Sequence, residues 1–411
     1  MAWWIPWAPR ALCLLLALDG FSQSVVAEHA EVCLTDDASL LQSKWSPAAV
    51  RPHGAWGGGA RAPPAPVQWP NADSQIPMKD VRRAIERLTK KGSAFTAAAG
   101  RNFPPGYNHG HVPSPEHFQG VQRRGNYIYI SGSGETAGQA QIIVLEMASR
   151  AESGPMARRA DSDFPQRGDR VVNTVSFDSE YWHAGGFSIF GDVLVVGAEA
   201  GCSLGDRLLG KCQRASRIHF FDLADPRKPK KLPYTAERSA GTAGAVALTQ
   251  EVDGRYLLMV GGIDSEELDF YRSTRSSSLS SDPGFCKFTT WEKSALLCDA
   301  GVSSKYYSYQ NLNFVRQADG RLFLLGLTRT SELLGDDVVD TFVVSTSSER
   351  AVTMKKVGSA TLSCPSFTCN MLAAGGVFVD TAEELIIYAT DNEPSDGKIY
   401  VTEFSASAPA T

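Results

Sequence analysis

The side chains best suited to chemistry in this chain stand at the ends of short apolar runs. His117 and Gln119 open one run, His183 a second, Gln310 and Asn311 a third, and Asn370, beside Cys369, a fourth. Acids close comparable runs: Glu135, Glu199, Asp264 with Glu266, Glu332 and Asp391. Neutral imidazole together with carboxylate suits a divalent metal, so His117 and His183 are the candidate ligands, and such an ion is the one cofactor the residues suggest. Buried imidazole needs hydrogen-bond partners whatever its role, so the same two residues also fit a purely structural part. His109-Gly-His111 is a second conceivable ligand group. It lies in a Pro/Gly-rich stretch that reads better as a solvated loop.

Glycoside hydrolysis requires two carboxyls about 5–9 Å apart with different proton affinities. Glu199 and Asp264 are the candidate catalytic pair. The competing reading is plainer, because acids after a strand commonly sit in exposed turns. No nucleophile elbow is present: Gly186-Phe-Ser-Ile-Phe-Gly191 has one residue too many for it.

These residues need a scaffold that brings run ends together, and the chain repeats one. His183-Ala-Gly-Gly-Phe-Ser-Ile-Phe190, a turn at Gly191-Asp192, and Val193-Leu-Val-Val-Gly-Ala-Glu199 form a strand, a hairpin and a strand. Four other stretches follow the template, with turns at Gly125-Asn126, Asp253-Gly254, Asp319-Gly320 and, more weakly, Ala382-Glu383. Counted at 125, 191, 253, 319 and 382, the turns are 66, 62, 66 and 63 residues apart. Gly between two apolar runs is a strong hairpin signal, since it accepts the positive φ of a tight turn. A third strand follows in each unit and a fourth in most. A lone four-stranded sheet cannot bury both faces, whereas sheets repeated around an axis can. The spacing suits a propeller blade better than a solenoid coil. The predicted fold is all-β: a five-bladed propeller over residues 77–411, with blades starting near 117, 183, 242, 309 and 368. The fifth unit lacks a fourth strand, so residues before 117 are expected to supply it and close the ring.

The second unit carries Phe220-Phe-Asp-Leu-Ala-Asp-Pro-Arg-Lys-Pro229. This resembles the LVIVD-type β-propeller repeat, and the whole arrangement is similar to secreted five-bladed propellers whose biochemical role is not established. The resemblance implies a fold and a compartment. It transfers no catalytic residue.

Residues 1–27 read as a secretory signal: Arg10, then the apolar Ala11–Leu18, then small residues at Val25-Val-Ala27. That run is about half of the ~20 residues a bilayer span needs, and no later stretch is long enough, so no stable membrane span is expected. Residues 28–76, rich in Ala, Pro and Gly, read as a disordered spacer. Residues 78–91 predict a short basic helix with Val81, Ile85 and Leu88 on one face. It could touch a membrane, but packing on the rim of the fold is the better reading. The net charge of −5 argues against nucleic-acid binding. Beyond Cys13, six of the remaining cysteines stand in neighbouring pairs, predicting disulfides Cys202–Cys212, Cys286–Cys298 and Cys364–Cys369, with Cys33 left over. Arg227-Lys-Pro-Lys-Lys231 could bind acidic glycans, though a solvated turn explains it as well. In a propeller the run-opening residues and the run-closing acids share one axial face. Convergent polar groups at such a mouth are the default binding site. The expected function is binding of a ligand, protein or glycan there, with an extracellular glycosidase-like hydrolase as the alternative.

Overall fold

The computed structural model describes residues 76–104, 117–134, 139–148, 154–156, 165, 167–200, 215–262, 265–276, 278–330, 335–348, 351–365, 369–372, 374–392, 394 and 396–406. The signal-like segment, nearly all of the spacer, and Cys33, His109, His111, Glu135, Cys202, Cys212, Asp264 and Glu332 lie outside these residues.

The described chain is all-β, in several sheets. After β1 (Ser93–Ala98), the strands β2 (Phe118–Arg124), β3 (Tyr127–Gly134), β4 (Gln139–Glu146) and β5 (Arg170–Asp178) run as an antiparallel meander. A second meander is β6 (His183–Phe190), β7 (Val193–Glu199), β8 (Ser216–Asp222) and β9 (Lys230–Arg238). The third is β10 (Ala245–Gln250), β11 (Tyr256–Gly261), β12 (Glu267–Ser273) and β13 (Phe285–Glu292). A two-residue β14 (Leu297–Cys298) precedes the fourth: β15 (Asn311–Arg316), β16 (Leu322–Arg329), β17 (Asp337–Ser348) and β18 (Ala351–Leu362). The last run, β19 (Gly375–Val379), β20 (Leu385–Thr390) and β21 (Lys398–Phe404), has three strands of its own. Its fourth is β1, antiparallel to β21 from Ser93↔Glu403 to Ala98↔Lys398. Single parallel contacts at Gly375↔Gly120 and Ala98↔Arg170 join this set to β2–β5 as one closed eight-stranded group.

Local chemistry explains the hairpins. Gly125 and Gly191 sit at φ 57° and 58° in the two-residue turns β2–β3 and β6–β7, a region an L side chain enters only with strain. The later opening hairpins turn through longer loops. Strand burial grades outward in the second meander: β7 is buried throughout, while β9 buries Leu232, Tyr234 and Ala236 and turns Lys231, Pro233 and Thr235 to solvent. The opening strands touch in a cycle: β2 with β6, β6 with β10, β10 with β15, β15 with β19, and β19 with β2. Apolar clusters fill the spaces between consecutive sheets. Tyr129 and Ile142 meet Phe187 and Val196; Val195 and Phe220 meet Val246 and Leu258; Met259 and Phe270 meet Leu312 and Phe342.

The helix is shorter than its sequence pattern. It spans Val81–Glu86, capped by Asp80, whose carboxylate accepts from Arg83 N at 3.1 Å. Leu88 and Lys91 instead form bridges to Ala406 and Ser363, and strand-like pairing ends the helical turn. Val81, Ala84 and Ile85 are buried against Phe323, Val339 and Ile387, so this apolar face serves the core and is not free for a membrane. Among the described residues no helix is long and apolar enough to cross a membrane. The basic run is knitted into the fold: Arg227 Nε donates to Tyr127 Oη and Glu146 Oε1, and Lys231 Nζ to the Phe177 carbonyl at 2.8 Å.

Of the expected disulfides, Cys364–Cys369 is formed, with Cα atoms 5.8 Å apart. Cys286–Cys298 is not. Cys298 is a free thiol, and Cys286 is disulfide-bonded to a partner outside the described residues. The reason is topological: Cys286 lies on β13, paired with β12, while β14 carries Cys298 across to β18.

Two buried polar groups set the fold's sensitivities. Lys356 Nζ, wholly buried, lies 2.7 Å from Asp340 Oδ2 and donates to the Lys305 carbonyl at 2.6 Å, while Tyr309 Oη donates to the same carboxylate. Burial, then the Asp340 charge, pushes the Tyr309 phenol far up. Lys356→Ala strands a buried carboxylate and should cost about 3–5 kcal/mol in denaturant unfolding. The double change Lys356→Met with Asp340→Leu should recover most of it; a single-variant loss below about 1 kcal/mol would contradict the assignment. His219 is held from its ordinary 6.5 down to about 4 by burial and by Lys231, despite its 2.7 Å contact with Asp178. Between these values the unfolded chain binds a proton the folded chain refuses, so stability should fall as pH drops from about 6.5 to about 4. His219→Gln should flatten that slope in pH-resolved melting curves.

Candidate functional site

The pleat of β6 and β7 sets His183 directly opposite Glu199. The β2–β6 contact then brings His117 and Gln119 alongside. Gln119 Nε2 lies 3.1 Å from His183 Nε2 and within bonding reach of His117 Nε2. The two imidazole rings are 5.5 Å apart. One amide hydrogen goes to each ring, so this network assigns both Nε2 atoms as acceptors and places the ring protons on Nδ1. His183 Nδ1 is 3.2 Å from Glu199 Oε1, close enough for attraction but out of line for a hydrogen bond. Glu199 Oε2 accepts from Ala243 N at 2.7 Å, tying the site to the next sheet. Half-buried Trp182 meets the His183 ring edge-on at 5.9 Å.

This geometry is that of two imidazoles bridged by an amide. Among the described residues no group of three or more His, Cys, Asp or Glu side chains is placed to hold a metal ion.

The other candidates scatter. Gln310 presents its backbone carbonyl to β6: a Cβ on Gly186 would overlap that oxygen, so only glycine permits the approach. Asn311, buried, directs Nδ2 to the Leu372 carbonyl at 3.5 Å and lies against Gly120 and Gly186. Asn370 builds a turn, its Oδ1 accepting from Leu372 N at 2.9 Å. Glu266 is exposed and paired with Lys293 at 2.7 Å. Asp391 is buried and bridged through its backbone to Cys369.

Sequence reasoning looked only at the ends where the opening strands begin. It missed the far end of the same strands, where a cavity of about 400 Å³ is lined by residues of β2, β6, β10, β15 and β19. The available signal was the pair Gln122 and Asn313, amides that follow Val121 and Leu312 on two of the opening strands. Gln122 Nε2 donates to Asn313 Oδ1 and to the Phe187 carbonyl.

No protein-family model and no curated protein sequence matches this chain. Solved structures do. One is a protein of unknown function from Dyadobacter fermentans, 8% identical, TM-score 0.33, with 78% of this chain and 100% of that one covered. Another is described as a bifunctional GH43-CE protein from Bacteroides eggerthii, 11% identical, TM-score 0.35, covering 75% of this chain and 34% of that one. A third is an exo-β-1,3-galactanase from Clostridium thermocellum, 10% identical, TM-score 0.27, covering 73% and 76%. At these values the likeness carries no argument about site or activity.

Glu199→Ala should leave the Ala243 N–H without its acceptor and cost about 1–3 kcal/mol in denaturant unfolding, with Glu199→Gln costing less because it keeps an oxygen there. Equal losses for the two variants would mean that the charge, not the hydrogen bond, is what matters.

Proposed function

We propose that this chain is a secreted five-bladed β-propeller of the LVIVD-like kind that binds a glycan at the axial end formed by His117, Gln119 and His183, without catalysing its breakdown. The propeller reading draws support from the cycle of contacts among the five opening strands and from β1 completing the last sheet. Secretion draws support from the signal-like residues 1–27 and from disulfide use.

The observation that carries the binding reading is the amide-bridged histidine pair beside a half-buried tryptophan. A rigidly held aromatic side chain suits a sugar ring, which presents C–H faces. The bonded network beside it would hold the indole in place for stacking, at little ordering cost. The hydrolase reading has less behind it: Glu199 is 4% exposed and its oxygens face Ala243 N and His183, leaving no carboxyl there ready to exchange a proton with substrate.

The test is a glycan array probed with the full chain, run beside hydrolysis assays on nitrophenyl glycosides. Saturable glycan binding is expected, weakened about tenfold or more by His183→Ala as one buried hydrogen bond and its packing are lost, with no turnover. Turnover by the wild type, or binding indifferent to both His183→Ala and Gln119→Leu, would overturn the reading.

A further inference from the structure

Lys356 and Asp340 take no part in the site above. They lie on neighbouring antiparallel strands, β18 and β17, and Lys356 stands opposite Phe342 where the register slips between Thr341 and Phe342. Ladder pairing on both sides of this point holds the two side chains together, so their approach does not depend on a loop. Lys356 is 1% exposed and Asp340 not at all. Their surroundings are aromatic. Tyr309, whose hydroxyl donates to Asp340 Oδ2 at 2.5 Å, packs edge-on against Tyr306 and Phe342, and Lys356 Nζ stands 5.6 Å from the Tyr307 ring centre.

As an ion pair the arrangement is incomplete. Asp340 Oδ2 takes Lys356 Nζ at 2.7 Å as well as the Tyr309 hydroxyl, whereas Oδ1 is buried with no hydrogen-bond partner among the described residues. A buried carboxylate needs donors on both oxygens, and an ammonium has three hydrogens to place. An amide between the same two side chains asks for less: one acceptor for its N–H and one donor for its oxygen. Both are in position. Lys356 Nζ already donates to the Lys305 carbonyl at 2.6 Å, and Tyr309 already donates to Oδ2. The oxygen without a partner, Oδ1, is the one such a bond would discard.

We propose that Lys356 and Asp340 condense into an intramolecular isopeptide bond that cross-links β17 to β18. A proton passes from the Nζ ammonium to Oδ1, leaving an amine and a neutral carboxyl, whose burial costs less than that of two charges. The Nζ lone pair attacks Cγ, and the Cγ–Oδ2 π electrons move onto Oδ2, where the Tyr309 hydroxyl donates to the developing oxyanion. Burial and the Asp340 charge hold the Tyr309 phenol far up, so it keeps the proton it donates. Nζ then gives a proton to the Oδ1 hydroxyl, the Cγ–Oδ1 bond breaks, the carbonyl re-forms and water leaves. One C–N bond is made and one C–O bond is lost, with nothing oxidised or reduced. Groups fixed in this way act at effective concentrations of about 10⁵–10⁸ M, which favours an amide that free solutes in water would not form. The bond depends on nothing at the glycan-binding end.

Tryptic mapping of the reduced full chain by mass spectrometry tests this. Unjoined, Asp340 falls in the peptide 330–350, and trypsin cuts on both sides of Lys356. Joined, Lys356 is acylated and no longer cut after, so 330–350 and 356–398 should emerge as one species, lighter than their sum by one water. The double change Lys356→Met with Asp340→Leu should abolish that species while the melting curve stays cooperative. Tyr309→Phe should slow its appearance about 100-fold in a time course after cell-free synthesis, as one oxyanion donor is lost. Wild-type protein that yields 330–350 wholly unjoined would overturn the proposal, whether or not any variant folds. So would a joined species that persists in the double variant, or one that forms at an undiminished rate without the Tyr309 hydroxyl.

Discussion

The pairing of β1 with β21 is the contact on which the rest of the architecture depends. The final meander has only three strands of its own, and an unpaired β21 would leave a row of backbone donors and acceptors open. β1 answers them along its full length. The segment before it helps: Met78 N donates to the Arg316 carbonyl, Ala318 N donates back to Met78 O, and the short helix lays Val81 and Ile85 on β16 and β20 side chains. One N-terminal stretch thus closes a sheet and seals the seam between the fourth and fifth sheets.

Close approach of the opening strands shapes what lies between them. Glycines at 120, 186 and 376 stand where a Cβ would collide with a neighbouring strand. The space that side chains would otherwise fill goes to amides and imidazoles reaching between sheets: Gln119 to both histidines, Gln122 to Asn313. Polar groups in such a setting must be matched to one another. Most are, which rigidifies one end, while Asn313 leaves an open valence at the other.

Much of the architecture was legible in the sequence because it rests on local signals. The glycine turns at 125 and 191 and the apolar alternation around them define hairpins by themselves, and the missing fourth strand of the last unit pointed to the N-terminal residues. The helix pattern over 78–91 was misleading in length because Leu88 and Lys91 have strand partners, which are long-range and leave no local mark. The cysteine pair 286 and 298 failed for a similar reason: nearness in sequence is undone when the chain crosses from β13 to β18. Of the candidate site, His117, Gln119, His183 and Glu199 do meet. Asn370 does not join them, because its side chain is spent on its own turn. Amide-to-imidazole bridging depends on which strands become neighbours, and composition alone does not reveal that.

The placement of β1 has a bearing on how the chain is made. Ribosomal synthesis delivers this strand well before its partner. Until β21 emerges, β1 is an apolar edge without a template, able to join any exposed strand, including one on another nascent chain. Assembly is therefore open to strand exchange between molecules while the intervening sheets are being made. The lock that ends the exposure forms only once the final strand is free to move.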